Sequence, residues 1–364
     1  MPLNLSSRFE ACLPQAGSRF EVAPVVKRGK LSSTETSNLE PQTSNPNKMI
    51  HKILEDRVYS LGILLVLTAL ITSVIFPSTF PTFENFSQIL LNLSVDTIVA
   101  VGMMLLLISG AFDLSVGSVL AFTGCLTAYL MHFFGFPVPL ALTIGLLGAF
   151  MIGWVNGYLI AYQNINPMIQ TLAMMGIVRG CALMVSGSGI QNLPYWFNAI
   201  GQSKLLGIQM PIWYMLATVG CFTFLTSKTI FFRRYYYIGS NERAADLSGI
   251  QVKKMKMVAF IISAMLAGLS GILLSSRLGA ALPTMGRGLE LRVITAVILG
   301  GATLTGGYGK IPGAFLGALF MGLVSNIMVI ARVSGYWQEI ILGLILIATL
   351  WLDKYLQKKY SGID

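Results

Sequence analysis

Charged residues set inside apolar sequence are the first candidates for chemistry here, because an ionisable side chain in hydrocarbon is costly unless it is paired, caps a helix or faces water. The stretch Phe112-Asp113-Leu114-Ser115-Val116-Gly117 places a carboxylate beside a hydroxyl and a glycine. Asp113 suits an N-cap for a following helix, with Ser115 close behind; a direct substrate contact is the alternative. Asp96 and Arg179 also lie well inside apolar sequence. They are of opposite sign and can pair with each other, either as a buried structural pair or as part of a path across the membrane. The third candidate is polar: Ile238-Gly239-Ser240-Asn241-Glu242-Arg243-Ala244-Ala245-Asp246-Leu247-Ser248-Gly249-Ile250. It reads as a short helix capped by Ser240 or Asn241, built from Glu242, Ala244, Ala245 and Leu247, and ended by Gly249. One or two turns of helix are unstable alone in water. A groove in a partner protein, accepting the small Ala244-Ala245 face, would hold it. The plainer alternative is a basic loop that only sets topology.

No catalytic set accompanies these residues. A phosphate-binding loop needs G-x-x-x-x-G-K-[ST]. The nearest approach, Gly309-Lys310, is followed by Ile311 and has Leu304 where the first glycine belongs. There is no Gly-x-Ser-x-Gly elbow and no His-Glu-x-x-His. Cys12, Cys125, Cys181 and Cys221 lack CxxC or metal-ligand spacing, and His51 and His132 are far apart. No metal or cofactor site is expected, and the cysteines read as small packing residues.

The elements that must position the three candidates follow from composition. The 364 residues are 54% hydrophobic and 11% charged, against roughly 25% charged in a soluble domain. An ordinary soluble enzyme is excluded. Apolar blocks run at about 58–76, 88–111, 115–134, 138–161, 168–186, 210–227, 257–276, 293–308, 311–331 and 336–352. Several reach the roughly 18 to 20 residues that cross a bilayer. The fold class is therefore all-α, a polytopic membrane helix bundle of about ten spans. The eighth is short and interrupted by Gly300-Gly301 and Gly306-Gly307, which predicts a broken or re-entrant element sheltered by protein. Glycines such as Gly313, Gly317, Gly268 and Gly271 permit close helix approach.

Residues 1–50 are polar and rich in Ser, Thr, Asn, Gln and Pro, a composition that predicts a disordered tail; residues 51–364 form the transmembrane domain. The tail lacks an apolar signal-peptide core, and Met49 leads straight into the first span, so a biological start near there is one reading. The excess of Lys+Arg 25 over Asp+Glu 15 reads as topology, not nucleic-acid binding, because basic residues mark cytoplasmic loops. The loop 228–256 carries Lys228, Arg233, Arg234, Arg243, Lys253, Lys254 and Lys256 against Glu242 and Asp246, and Lys52, Arg57, Lys354, Lys358 and Lys359 flank the terminal spans. An even span count then puts both termini and this loop in the cytoplasm. Arg277, Arg287 and Arg292 would face outward, a violation that points to a specific role or to an unusual eighth span.

Asp113-Leu114-Ser115-Val116-Gly117, Asn166-Pro167 with Thr171-Leu172 and Arg179-Gly180, Gly239 to Ile250, Glu290-Leu291, and Gly300-Gly301 with Gly306-Gly307-Tyr308-Gly309 occur in an order that resembles the permease subunits of ribose-type bacterial sugar importers of the ATP-binding cassette class. The resemblance covers about residues 58–352. It implies a non-catalytic subunit in the bacterial cytoplasmic membrane that pairs with a second permease chain, identical or related. It further implies an external solute-binding protein and a separate cytoplasmic ATP-binding cassette subunit as partners. In that family the segment matching Gly239, Asn241, Glu242, Ala244, Ala245 and Gly249 couples to the ATPase. Phe232 and Tyr237 replace smaller residues of the family pattern, and Arg292 stands where an acidic or neutral residue is more usual. The rivals are an ion-coupled secondary transporter using Asp96 or Asp113, a related permease for a non-sugar ligand such as branched-chain amino acids, and, lacking any catalytic group, a membrane enzyme.

Overall fold

The computed structural model describes residues 57–361; the expectations on residues 1–50, on Cys12, His51 and Lys52 lie outside them. Among the described residues, eight helices are long and apolar enough to cross a membrane. They are α1 (Arg57–Ile75), α2 (Phe83–Ile108), α3 (Val116–Phe134), α4 (Val138–Ala161), α5 (Pro167–Ser186), α7 (Met210–Lys228), α10 (Val252–Leu278) and α12 (Ile311–Ile330). The last helix, α13 (Gly335–Ser361), contains an apolar stretch over Gly335–Trp351. The short α11 (Leu289–Leu299) completes the polytopic bundle. Shorter pieces connect the spans: α6 (Tyr195–Gln202), the hairpin β1 (Lys204–Leu205) and β2 (Ile208–Gln209), α8 (Ile230–Ser240) and α9 (Glu242–Leu247).

Helix α2 is the centre. From Leu93 to Ile108 every residue except Asp96 is buried, as expected of a helix that is apolar all round. The long α10 packs against α2, α3 and α4. Their approach is close because glycines meet backbone: Gly271 lies against the Leu120 carbonyl, and Gly153 and Gly268 leave room only for Ala264 and Ala149. In lipid, where apolar burial brings little, such close packing is what holds helices together. By contrast α1 exposes Val66, Leu70 and Val74, a surface matched to hydrocarbon.

Two non-helical segments enter the bundle. The Ser270 hydroxyl donates to the Val95 carbonyl at 3.2 Å, and neighbouring Gly271 abuts Leu120. Leu120, about one turn into α3, is thus level with the midpoint of α2. Residues 109–115 therefore run back inward from the Ile108 end of the bundle, which is why Asp113 is fully buried. At the opposite end Ala281 bridges Ile190, with N–H to O distances of 2.9 and 2.8 Å. Residues 279–288 then descend until Gly286 lies against Gly117. From there α11 runs to the Ile108 end, where the Gly307 amide donates to the Ile108 carbonyl at 2.9 Å.

The eighth crossing is broken at the glycines that the sequence singles out, but its helix is displaced toward the amino terminus. Its helix starts at Leu289, earlier than the expected block 293–308, and ends at Leu299. The glycine pairs 300–301 and 306–307 form the turn after it, where Gly300 and Gly313 backbones touch. One of the arginines expected to face outward, Arg277, is taken up by the same architecture. Arg277 donates to the Leu91 carbonyl at 3.1 Å and to Asn92 Oδ1 at 2.7 Å. The segment between α5 and α7, which the apolar blocks left unassigned, holds α6 and the hairpin, turned by Leu206 and Gly207 with φ of 54° and 79°, the two positive values of a type I′ turn.

Candidate functional site

The polar loop folds as its sequence suggests. Asn241 is the cap of α9: its Oδ1 accepts the Ala244 amide at 3.0 Å. Gly249, with φ +83°, ends the unit, and the Ile250 amide returns to the Ala245 carbonyl at 3.1 Å. Glu242 pairs with Lys256 of α10 at 2.6 Å. The two alanines face differently. Ala245 is nearly fully buried, whereas Ala244 is exposed, and the one large apolar side chain offered to the exterior is Leu247, 83% exposed. Beside α9 lies a groove of about 420 Å³ lined by Tyr237, Ser240, Asn241, Ala244, Ala245 and Ser248.

The preceding α8 ties this unit to the spans. Gly239 lies so close to the Ile108 carbonyl and the Gly307 amide that no Cβ fits. Tyr236 donates to the Gly309 carbonyl at 2.9 Å, and Tyr235 to the Met255 carbonyl at 3.1 Å. Burial pushes both phenols above the usual tyrosine range, so they remain protonated donors. Phe232 packs edge-on against Phe222 of α7, and Tyr237 forms one wall of the groove.

Inside the bundle the expected pair of Asp96 with Arg179 does not form. Asp96 Oδ2 instead takes Arg292 Nε of α11 at 3.3 Å. Arg179 of α5 donates from Nη1 to the Pro283 and Met285 carbonyls at 2.6 and 2.8 Å. The physical reason is the descent of residues 279–288, whose non-helical carbonyls need donors and whose continuation carries Arg292 to the level of Asp96. The out-of-place Arg292 was the one signal in the sequence; the pairing itself was hidden because the partner of each charge lies on a segment that periodicity could not place.

Asp113 is not a simple helix cap. Ser115 occupies the N-cap of α3 without a side-chain bond of its own to the helix. Asp113 Oδ1 accepts the Ser115 amide at 2.7 Å and its hydroxyl at 2.6 Å. Asn156 of α4 donates to Ser115 Oγ at 3.1 Å, and Gln170 of α5 to Asn156 Oδ1 at 3.3 Å. This chain of bonds ties the re-entering turn to two spans. Among the described residues no group of three or more His, Cys, Asp or Glu side chains could hold a metal ion.

A polytopic bundle with two re-entrant segments and a projecting polar helix fits a conduit better than a catalyst. Residues 85–350 match the family model described as branched-chain amino acid transport system, permease component. The chain belongs to this permease family. Among its relatives, the L-arabinose transport system permease protein of Escherichia coli is 40% identical over 299 residues, 82% of this chain and 91% of that protein. The ribose import permease protein of Haemophilus influenzae is 34% identical over 312 residues, covering 84% and 95%. The D-allose transport system permease protein of Escherichia coli is 32% identical over 324 residues, covering 89% and 99%. No solved structure matches the permease.

Proposed function

We propose that this permease is the membrane-spanning, non-catalytic subunit of an ATP-driven importer for a monosaccharide or similar small polar solute. It works in the bacterial cytoplasmic membrane, with both termini and α9 in the cytoplasm. Its partners are a cytoplasmic ATP-binding cassette subunit, a second permease chain and an external solute-binding protein. The relatives named for arabinose, ribose and allose support the solute class. Family kinship to branched-chain amino acid systems favours one second reading, a hydrophobic amino-acid ligand.

The observation that carries the proposal is the backbone contact of Gly239 with Ile108 and Gly307. Movement imposed on α9 reaches the end of α2 and the turn after α11 without a flexible side chain between them. ATP binding in a partner shifts the spans only by preferring one of their arrangements, and Gly239 is where that preference is transmitted. An ion-coupled transporter gains little support from Asp96, because the positive Arg292 guanidinium beside it disfavours a bound cation. Purified complex in proteoliposomes, given labelled L-arabinose, D-ribose, D-allose or L-leucine, tests the proposal. Sugar uptake that needs both the cassette subunit and ATP is expected. Uptake of leucine alone, or uptake driven by an ion gradient without the cassette subunit, contradicts it.

A further inference from the structure

Asp96 is the only incompletely buried residue between Leu93 and Ile108, and the reason is a cavity. A space of about 170 Å³ opens between α2, α11 and α12, with Asn92, Asp96, Arg292, Ser325 and Asn326 among its lining. At about 30 Å³ of liquid volume per water, it is the size of nearly six waters, the scale of one small ring. Apolar residues, Ile89, Leu93, Val293 and Met321 among them, supply the rest of the wall. A second cavity, of about 410 Å³, shares Arg292 and Met321 with the first and reaches Arg287 and Glu339. The two spaces thus abut at Arg292.

The ion pair is loosely made. It uses one oxygen and one nitrogen at 3.3 Å, and Arg292 Nη1 reaches only the Arg287 carbonyl at 3.4 Å. Among the described residues Asp96 Oδ1 and Arg292 Nη2 make no hydrogen bond. The side chains are 32% and 35% exposed. A structural pair in this setting gains its keep from full, bidentate geometry, which is absent here. What remains is a cluster with spare acceptors on a carboxylate, spare donors on a guanidinium, the Asn92 Nδ2 donor beside them, and no net charge; Asn92 Oδ1 is taken by Arg277, and Asn326 by Asn85. Vicinal hydroxyls need that combination, since each both donates and accepts. A lone cation or anion would not be favoured by a neutral pair.

We propose that this cavity is a mid-membrane subsite for one monosaccharide, with the Asp96–Arg292 pair and Asn92 bonding its hydroxyls and the larger cavity beyond Arg292 serving as its vestibule. The assignment rests on the importer reading above. It places the subsite on α2, whose end meets Gly239, and on α11, whose following turn meets Gly239 at Gly307, so motion of α9 acts on both walls.

The test uses the full complex in proteoliposomes, with L-arabinose, D-ribose and D-allose as probes. Ser325→Leu fills the cavity; uptake is expected to fall at least tenfold while the complex assembles and hydrolyses ATP. Asp96→Asn keeps the shape and removes the charge; KM for uptake is expected to rise at least fivefold with the maximal rate changed less than twofold. A merely structural pair would lower the melting temperature and leave KM alone. If the wild-type complex takes up none of the sugars, the importer reading falls and the subsite with it. If the wild type transports and both variants keep its KM, the subsite alone is overturned.

Discussion

Gly239 and Ile108 touch through their backbones, with the Ile108 carbonyl standing where a Cβ of residue 239 would be. The same carbonyl accepts the Gly307 amide at 2.9 Å, so three segments distant in sequence share one point. Gly239→Ala is expected to push them apart. Overpacking of this kind costs about 1–3 kcal/mol, and the measurement is a lowered melting temperature in detergent together with reduced uptake. An alanine variant of unchanged stability and transport would contradict the contact.

Asn241 holds the first turn of α9 with one side-chain oxygen. Replacing such a cap by alanine costs about 1 kcal/mol, a large share of what a six-residue helix has. Hydrogen exchange of residues 242–248 is expected to accelerate several-fold in Asn241→Ala and to stay near wild type in Asn241→Asp, which keeps the acceptor.

Arg179 satisfies two carbonyls of the descending segment. Its loss leaves them without that donor, and an unsatisfied buried group costs about 1–3 kcal/mol. Arg179→Ala is expected to lower the melting temperature and to raise exchange at residues 281–288, with Arg179→Lys recovering part of each. Equal exchange in all three proteins would refute the anchoring role.

Asp96 and Arg292 are expected to be energetically coupled even though their contact is single. In a double-mutant cycle with Asp96→Ala and Arg292→Ala, the combined loss of stability should fall short of the summed losses by about 0.5 kcal/mol or more. Strict additivity would mean that the pair exists without interacting.

Much of this architecture was legible because hydropathy speaks directly to helices in lipid. The spans α1 to α5, α7, α10 and α12 fall within about five residues of their apolar blocks, and α13 starts within one residue of its block but runs on to Ser361. The cap of α9 followed from Asn241 and Gly249, which act within one turn. What stayed hidden depends on segments without periodicity. Residues 109–115 and 279–288 enter the bundle, and neither alternation nor charge reveals that; hence the mistaken pairing of Asp96 with Arg179. The inward turn of Ala245 was hidden too, since which alanine faces the protein depends on how α8 packs. The exposed apolar residue on α9 is Leu247, so Leu247, not Ala245, is the clean position at which to probe a partner.

Photo-crosslinking from residue 247 in native membranes tests the central claim most directly. A crosslinking amino acid at this exposed position leaves the packing of Ala245 and Gly239 intact. The expected product joins the permease to its ATP-binding partner, on the cytoplasmic face, and disappears when that partner is deleted. Absence of any such adduct, together with labelling of Leu247→Cys by an impermeant thiol reagent added outside intact cells, would contradict the account.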